Sequence, residues 1–395
     1  MNIDLNQSTI FLVKSGSHAY GFATEESDHD YRGIAIPPLR CYIGLIDKFE
    51  HAVGKNIYEH FPIGLFEDDP RVSGASQDKF PDIQIYELTK FVMLALQNNP
   101  SIIEILFTDE SDWIRCHPIM NRLLEKRDLI LTKQAKARFC GYAFQQLKRV
   151  KNHRRWILNP IEKMPERSDF DLPERSLIPN DQFGALDSLI DKQIEGFILN
   201  QDDLPEHVKI ELATGLSKMM RAVWVALNPE RPYPIDDDGG YASTQEALKQ
   251  GILYQQGFSY NFIELINKEK KYRNALSDWN SYQKWLKERN PKRAKMEQKL
   301  TYDPKHCTHL IRLIRMAKEI LEDGKVYVKR PDAEELLAIR NGAWSYEQII
   351  EYAEKYDNEL EEIKNKSKLP LKPPVKEFDI LVREMVLEFN KGNKK

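Results

Sequence analysis

Cysteine is scarce in this sequence of 395 residues, and its four cysteines (Cys41, Cys116, Cys140 and Cys307) show no C-x-x-C spacing. That distribution argues against a disulfide framework and against a cysteine-based zinc site. The first residues lack a basic segment followed by a long apolar one, and no apolar run approaches the length of a membrane span. We therefore expect a cytoplasmic protein in a reducing setting, without a membrane partner.

An excess of charge of one sign is also absent. Charged residues make up 30% of the chain, yet the net charge is only -3. A nucleic-acid partner therefore cannot be inferred from overall charge and would require a local basic face. The chain is long enough for two or three domains, each with a core of its own.

The most informative stretch is 15–33, SGSHAYGFATEESDHDYRG. The apolar run before it predicts a buried strand, and Gly16 and Ser17 end that strand where the backbone must approach a ligand closely. Further on, Asp28 and Asp30 are separated by one position, so an extended strand would present both carboxylates on one face. Two such carboxylates repel each other unless a cation lies between them, and oxygen ligands favour Mg²⁺ or Mn²⁺.

The turn at Gly16 and Ser17 suits a triphosphate, because backbone N–H groups at the start of a helix opened by Ser17 can hold phosphate oxygens. The alternative is an ordinary surface turn followed by an Asp-rich loop. The apolar continuation at 32–36, RGIAI, favours the first interpretation, since it makes the two Asp residues the entry to a strand.

This order of strand, Gly-Ser turn, helix and Asp-x-Asp resembles the active site of the DNA polymerase beta-type nucleotidyltransferase superfamily, in its RNA-repair-associated (RNA-ligase-associated) branch of predicted nucleotidyltransferases. The stretches at 86–107, 302–324 and 331–345 also resemble that branch. The resemblance implies an α+β fold, with an N-terminal mixed-sheet nucleotidyltransferase domain (a polymerase beta-like palm) at 1–115. A mostly helical part at 116–395 would complete the nucleotide and acceptor cleft.

The resemblance also implies a third metal-binding carboxylate from a neighbouring strand. Asp82, at the start of a predicted strand, is the preferred residue for this role. Glu87 is the rival, but it could equally be a first-turn acid at the start of the helix that follows. With Mg²⁺ or Mn²⁺ on these carboxylates, Ser17 and the Gly16 backbone would hold the nucleotide phosphates, and Arg32 would neutralise developing charge.

Two helical segments carry cations. The amphipathic helix at 133–159 has a basic run with an imidazole and an indole, which suits phosphate contact beside an aromatic platform; a merely solvated face is the alternative. The candidate nucleic-acid-binding residues in this run are Lys148, Arg149, Lys151, Arg154 and Arg155. Further helical patterns occur at 183–199 and 205–227.

The second cationic segment lies at 302–324, where Lys305, His309 and Arg312 recur at helical spacing along one face. Such a stripe could contact the triphosphate or the acceptor, or it could be an exposed solvated surface. Earlier in the chain, Ser101 and Glu104 match a capping box at the start of a short helix.

We expect a nucleotidyltransferase that moves a nucleoside monophosphate from an NTP to a hydroxyl by a two-metal mechanism. The resemblance implies an RNA or tRNA end as the acceptor, in RNA repair or processing, and an RNA ligase as a partner. An AMP transferase that modifies proteins is the alternative within catalysis. A non-catalytic RNA-binding or regulatory module is the alternative from another class.

Overall fold

A computed structural model describes residues 3–179 and 259–392, apart from gaps at 26, 55, 68, 74–79 and 290, together with the isolated positions 183–185, 188 and 215. The helices predicted at 183–199 and 205–227 lie outside the described residues, except for these isolated positions. Contacts divide the chain into two compact units, Met1–Asn159 with Pro291–Lys395, and Pro160–Asn290. The domain boundary expected near 115 stays a prediction.

The first unit contains a five-stranded mixed sheet in the order β3-β4-β2-β1-β5. Strands β2 and β4 run parallel, whereas the other neighbouring pairs are antiparallel. The bounds are β1 Thr9–Ser15, β2 Asp30–Ala35, β3 His51–Val53, β4 Asp82–Glu87 and β5 Trp113–Cys116.

The remaining elements are mostly helical. In the N-terminal part these are α1 Leu5–Ser8, α2 Gly16–Tyr20, α3 Arg40–Ile43, α4 Pro70–Ser73, α5 Leu88–Leu96, α6 Pro100–Leu106, α7 Asn121–Leu124 and α8 Gln134–Leu158. They are followed by α9 Tyr260–Glu288 in the second unit, and then by α10 Pro291–Leu300, α11 Pro304–Asp323, α12 Ala333–Arg340, α13 Tyr346–Lys366 and α14 Val375–Gly392. The predicted α+β class, a mixed sheet followed by a mostly helical region, is confirmed. Within the described ranges, every helix is too short or too polar to cross a membrane.

Both faces of the sheet are covered, and strand alternation decides which residue faces which layer. Phe11 and Ile34 pack into the main core, which the helices complete. Leu12 and Tyr31 lie on the opposite face of the sheet, in a smaller core. Aromatic residues of the chain segment that connects β3 to β4, among them Phe66, complete this core. Because side chains alternate along a strand, β2 directs its even-numbered positions, including Asp30, to the side of the main core.

Helix α11 is the most deeply packed long helix of this unit, since its apolar face is buried from Leu310 to Leu321. Its start is fixed by Asp303, whose side chain caps the helix, with Pro304 in the first turn. Gly324 ends it at a φ of 66°, in the left-handed region that favours glycine at a helix C-cap. A helix held this firmly can carry cationic side chains at defined positions.

In the second unit, the described residues form an ion-pair cluster around Glu269 on α9. The Glu269 carboxylate is buried and accepts hydrogen bonds from the guanidinium groups of Arg167 and Arg273. These bonds lower the pKa of Glu269 although its burial acts in the opposite direction.

Candidate functional site

Three elements meet at the end of the sheet where β1 stops and where β2 and β4 begin. The parallel register of β2 and β4 sets Asp30 opposite Asp82, and the antiparallel register of β1 and β2 sets Asp30 opposite Ser15. Asp28 lies two residues before the strand, exposed in the loop that leads into it. We expected Asp28 and Asp30 to present their carboxylates on the same face of one strand. That argument does not apply to Asp28, because β2 starts only at Asp30.

Gly16 brings the turn after β1 directly against Asp30. Its φ is 65°, in the left-handed region that favours glycine, and a Cβ atom built on it would collide with Oδ2 of Asp30. Any larger residue at this position would have to displace the carboxylate. The backbone at Gly16 thus closely approaches the protein's own Asp30 carboxylate, and the predicted approach of this turn to a triphosphate stays a prediction.

Burial and neighbouring carboxylates raise the pKa of Asp30 above its ordinary value. Desolvation is the largest cause, and Asp82 and Asp28 add to it, whereas Arg32 and Lys305 oppose it. The three carboxylates thus interact electrostatically, and holding Asp30 ionised costs free energy.

Arg32 is already engaged with Asp82. Its Nη2 donates to Oδ2 of Asp82 at 2.9 Å, and its Nη1 donates to the carbonyl oxygens of Asp82 at 2.8 Å and of Tyr31 at 2.9 Å. The Asp82 side chain is nevertheless 58% exposed. Arg32 therefore orients a carboxylate at the mouth of the site, and its predicted contact with phosphate stays a prediction.

Glu87, the rival third carboxylate, has a structural role at the far end of β4. Its side chain caps α5 by accepting hydrogen bonds from the backbone N–H groups of Thr89 and Lys90, and it also accepts one from the hydroxyl of Tyr42. Its acceptor capacity is thus occupied by the helix start that the alternative interpretation assigned to it. Asp82 remains the carboxylate next to Asp30.

Helix α2 begins at Gly16 and contains Ser17 in its first turn. Ser17 is half-buried, and within the described residues its hydroxyl has no hydrogen-bond partner. Its binding of nucleotide phosphates stays a prediction.

The stripe on α11 differs from one residue to the next. Lys305 is half-buried and lowers the pKa of Asp30, so it lies on the carboxylate side. His309 is half-buried, and burial together with Arg312 and Lys305 holds its pKa well below the usual range. At neutral pH it is an uncharged imidazole. It therefore cannot supply the positive charge that the sequence pattern predicted.

Arg312 lies in the interior, which corrects the expectation of a phosphate contact. Its guanidinium forms a buried ion pair with Glu104 and lies 3.8 Å from the centre of the Tyr20 ring. The Tyr20 hydroxyl also donates to Glu104. Arg312 thus joins α11 to α6 through Glu104. It also joins α11 to α2 through Tyr20, the last residue of the helix that begins at Gly16.

The capping box expected at Ser101 and Glu104 is wrong. Asn99 caps α6 instead, because its side chain accepts a hydrogen bond from the backbone N–H of Ser101 and Pro100 fills the first helical position. Glu104 is therefore available for Arg312. Sequence reasoning missed this partnership, since no local pattern links residues on two distant helices.

The basic run on α8 is divided by burial. Lys148, Arg149, Lys151 and Arg155 are exposed. Arg154 donates to the Thr301 hydroxyl at 2.6 Å and lies over the Tyr346 ring, so it is part of the packing. The predicted aromatic platform is also wrong for Trp156, which is buried at 6% exposure.

Two histidines beside the carboxylates were missed by sequence reasoning. The rings of His18 and His29 stack with centroids 4.1 Å apart. Burial, and then His29, lowers the pKa of His18. Their only sequence signal is their place inside the opening motif, next to Ser17 and between Asp28 and Asp30.

The oxygen donors of Asp28, Asp30 and Asp82 suit a hard divalent cation in kind, because Mg²⁺ and Mn²⁺ prefer oxygen ligands. Among the described residues, however, these three are not a group whose ligand atoms all lie within 4.8 Å of one another, so a metal ion there stays a prediction. Burial is the main cause of the raised pKa of Asp30, and Asp82 and Asp28 add to it, so a cation beside this carboxylate would favour its ionised form. Asp28, Asp30 and Asp82 are the residues that would hold such an ion.

Residues 2–158 match the family described as RlaP, the RNA repair pathway DNA polymerase beta family, which confirms the predicted resemblance for that part of the chain. An uncharacterised 38.9 kDa protein from the nrdC-mobD intergenic region of Enterobacteria phage T4 is 26% identical over 166 residues. That alignment covers 40% of this chain and 45% of the phage protein, so the chain spans less than half of this relative. No solved structure gave a significant match.

Proposed function

We propose, from the match of residues 2–158 to the RNA repair pathway DNA polymerase beta family, that this protein transfers a nucleoside monophosphate from an NTP to the hydroxyl of an RNA or tRNA end. The observation that carries the proposal is the β2–β4 register. It sets Asp82 beside Asp30, next to a turn where Gly16 alone lets the backbone approach.

In this proposal Asp28, Asp30 and Asp82 hold Mg²⁺ or Mn²⁺. When bound, the metal would assist deprotonation of the acceptor hydroxyl and offset charge on the departing pyrophosphate. The chain's own groups bind and orient the NTP around it.

The Ser17 hydroxyl and the backbone N–H groups after Gly16 donate hydrogen bonds to the β- and γ-phosphate oxygens. Lys305 adds positive charge near Asp30, where its charge already opposes the rise in the pKa of that carboxyl group. Arg32 keeps the Asp82 carboxylate oriented, and uncharged His309 offers a hydrogen bond rather than a charge. These fixed groups lower the free energy of the charged transition state because they do not need to reorient.

The RNA acceptor is supported by the family match and by the exposed cations on α8. Lys148, Arg149, Lys151 and Arg155 present positive charge to solvent within one helical segment. Such a segment can bind phosphates without reading sequence. In RNA repair, an RNA end modified in this way would pass to a ligase, which is the partner we propose.

The test is incubation of the pure full chain with each α-³²P-labelled NTP, with Mg²⁺ or Mn²⁺, and with total tRNA and short RNAs. The Asp28→Asn/Asp30→Asn double variant is assayed in parallel. Asp47→Asn is the matched control, because Asp47 is an exposed carboxylate that pairs with Arg40 away from the cluster.

We expect label on RNA from the wild type and from Asp47→Asn, and none from the double variant. Label on polypeptide alone would replace this proposal with protein AMP transfer. Absence of label, together with RNA binding that does not respond to nucleotide or metal, would replace it with a non-catalytic binding module.

A further inference from the structure

A second group of potential metal ligands lies in the same unit, between α8 and the start of α11. His153 comes from α8, Asp303 caps α11, and His306 follows in its first turn. One ligand atom from each residue lies within 4.8 Å of the others. The proposed function uses none of these three residues.

The separations fit a tetrahedral metal ion. Nδ1 of His153 lies 3.2 Å from Oδ2 of Asp303, and Nε2 of His306 lies 3.6 Å from the same oxygen. Ligand atoms about 2.1 Å from a tetrahedral Zn²⁺ are about 3.4 Å apart. An ion could therefore be bound with little movement of the side chains.

The hydrogen bond between His306 and Gln146 leaves Nε2 of His306 as the nitrogen that can bind a metal ion. Nδ1 of His306 lies 2.8 Å from Oε1 of Gln146, which can only accept, so Nδ1 carries the proton. In the neutral ring, Nε2 then presents a lone pair towards the Asp303 carboxylate. Nε2 lies 3.6 Å from Oδ2 of Asp303, so a cation between the two atoms could be bound by both. The cation would replace the proton in the hydrogen bond between Nδ1 of His153 and the same oxygen.

Such an arrangement is typical of histidine ligands, which donate their second N–H group to a carbonyl or carboxylate oxygen. Asp303 completes the donor set, because Oδ1 accepts from the backbone N–H groups of Lys305 and His306 and leaves Oδ2 directed at the histidines. The side chains of His153 and His306 are 13% and 20% exposed. Solvent can thus supply a fourth ligand.

We infer that His153, Asp303 and His306 bind one borderline transition-metal dication, with Zn²⁺ as the expected ion. Two imidazoles and one carboxylate select such an ion over Mg²⁺, which prefers oxygen ligands alone. The ion would clamp α8 to the start of α11, the helix that carries Lys305 and His309. It would be a positioning device, separate from the cation of the Asp28, Asp30 and Asp82 cluster.

The test uses chelator-treated full chain titrated with Zn²⁺ against a chromophoric chelator, in excess Mg²⁺ to occupy the carboxylate cluster. We expect one Zn²⁺ per chain in the wild type and in Asp30→Asn. Binding should be lost in His306→Ala and in His153→Ala, and should weaken by about 10-fold in Gln146→Leu. His51→Ala, which removes an exposed histidine on β3, is the matched control and should bind as the wild type does.

Two further measurements keep the inference open to refutation if a histidine variant fails to fold. Co²⁺ bound to the wild type should give the visible absorption of a four-coordinate N/O site, and Zn²⁺ should raise the unfolding temperature of the wild type. Unaltered Zn²⁺ affinity in both histidine variants, or no Zn²⁺ binding by the wild type, would overturn the inference. Because Asp30→Asn should lose nucleotidyl transfer yet keep Zn²⁺, failure of one proposal is distinguishable from failure of the other.

Discussion

Two arginine–carboxylate pairs lie at different depths in the same unit. Arg32 pairs with Asp82, whose side chain is 58% exposed, whereas Arg312 pairs with Glu104 where the two side chains are 4% and 9% exposed. The chemistry of the pairs is the same, but solvent can reach only the first. An exposed pair can exchange a partner for a ligand at little cost, whereas a buried pair must stay intact. Depth thus separates a pair that a ligand could reach from a pair that holds helices together.

The largest effect should come from Asp30→Asn, which removes the central carboxylate of the group formed by Asp28, Asp30 and Asp82. We expect Mg²⁺-dependent transfer to fall by at least about 10²-fold, the usual order for loss of one preorganised electrostatic group. Labelled-NTP incorporation measures this fall. Activity equal to the wild type would remove Asp30 from the metal site.

The same variant has a signature in stability. The pKa of Asp30 is raised in the folded protein, so the folded state binds its proton more tightly than the unfolded state does. Stability of the metal-free wild type therefore decreases as pH rises from the unfolded pKa through the folded one. Asp30→Asn removes this loss and should be at least as stable as the wild type at neutral pH in EDTA. A large drop in its unfolding temperature would contradict the assigned cause of the pKa shift.

Replacing the arginine of each pair by methionine tests whether burial determines how much the pair contributes to stability. Arg312→Met leaves the buried Glu104 carboxyl group without its arginine partner and should cost about 3–5 kcal/mol of unfolding free energy. Arg32→Met leaves Asp82 in contact with water and should cost about 0–1 kcal/mol. Urea unfolding of both variants measures the difference. Equal losses would show that depth does not distinguish the pairs.

Asp82 and Glu87, the two candidates for the third metal-binding carboxylate, should differ in their effects on stability and on transfer. Glu87→Gln weakens a helix cap and should cost about 1 kcal/mol while transfer is retained. Asp82→Asn should have the reverse result, with transfer lost and stability nearly unchanged. Parallel unfolding and transfer assays decide between them. If both single variants lost transfer activity, both carboxylates would belong to the site.

The smallest effect is expected on α8, where exposed and packed cations again differ. Lys148→Ala should reduce the slope of log affinity for RNA against log salt by about 1, with no change in stability. Arg154→Ala should lower the unfolding temperature instead, because Arg154 bonds Thr301 and lies over Tyr346. Filter binding over a salt series measures the first effect and thermal unfolding the second. An unchanged slope in Lys148→Ala would remove α8 from the RNA surface.

The sequence by itself determined the local features: the strand before Gly16, the strand starting at Asp82 and the basic run on α8. Each of these rests on periodicity or on a turn residue, which act over a few neighbouring positions. The family resemblance could also be found there, since its motif is contiguous.

Tertiary structure alone decided which of these residues meet. Asp82 reaches Asp30 only through the pairing of β4 with β2, Arg312 is buried because Glu104 lies opposite it, and His309 is uncharged because of the groups packed around it. Helical spacing shows that residues share a face but not what lies against that face. The charge and exposure of each side chain depend on those distant neighbours, and a local pattern contains no information about them.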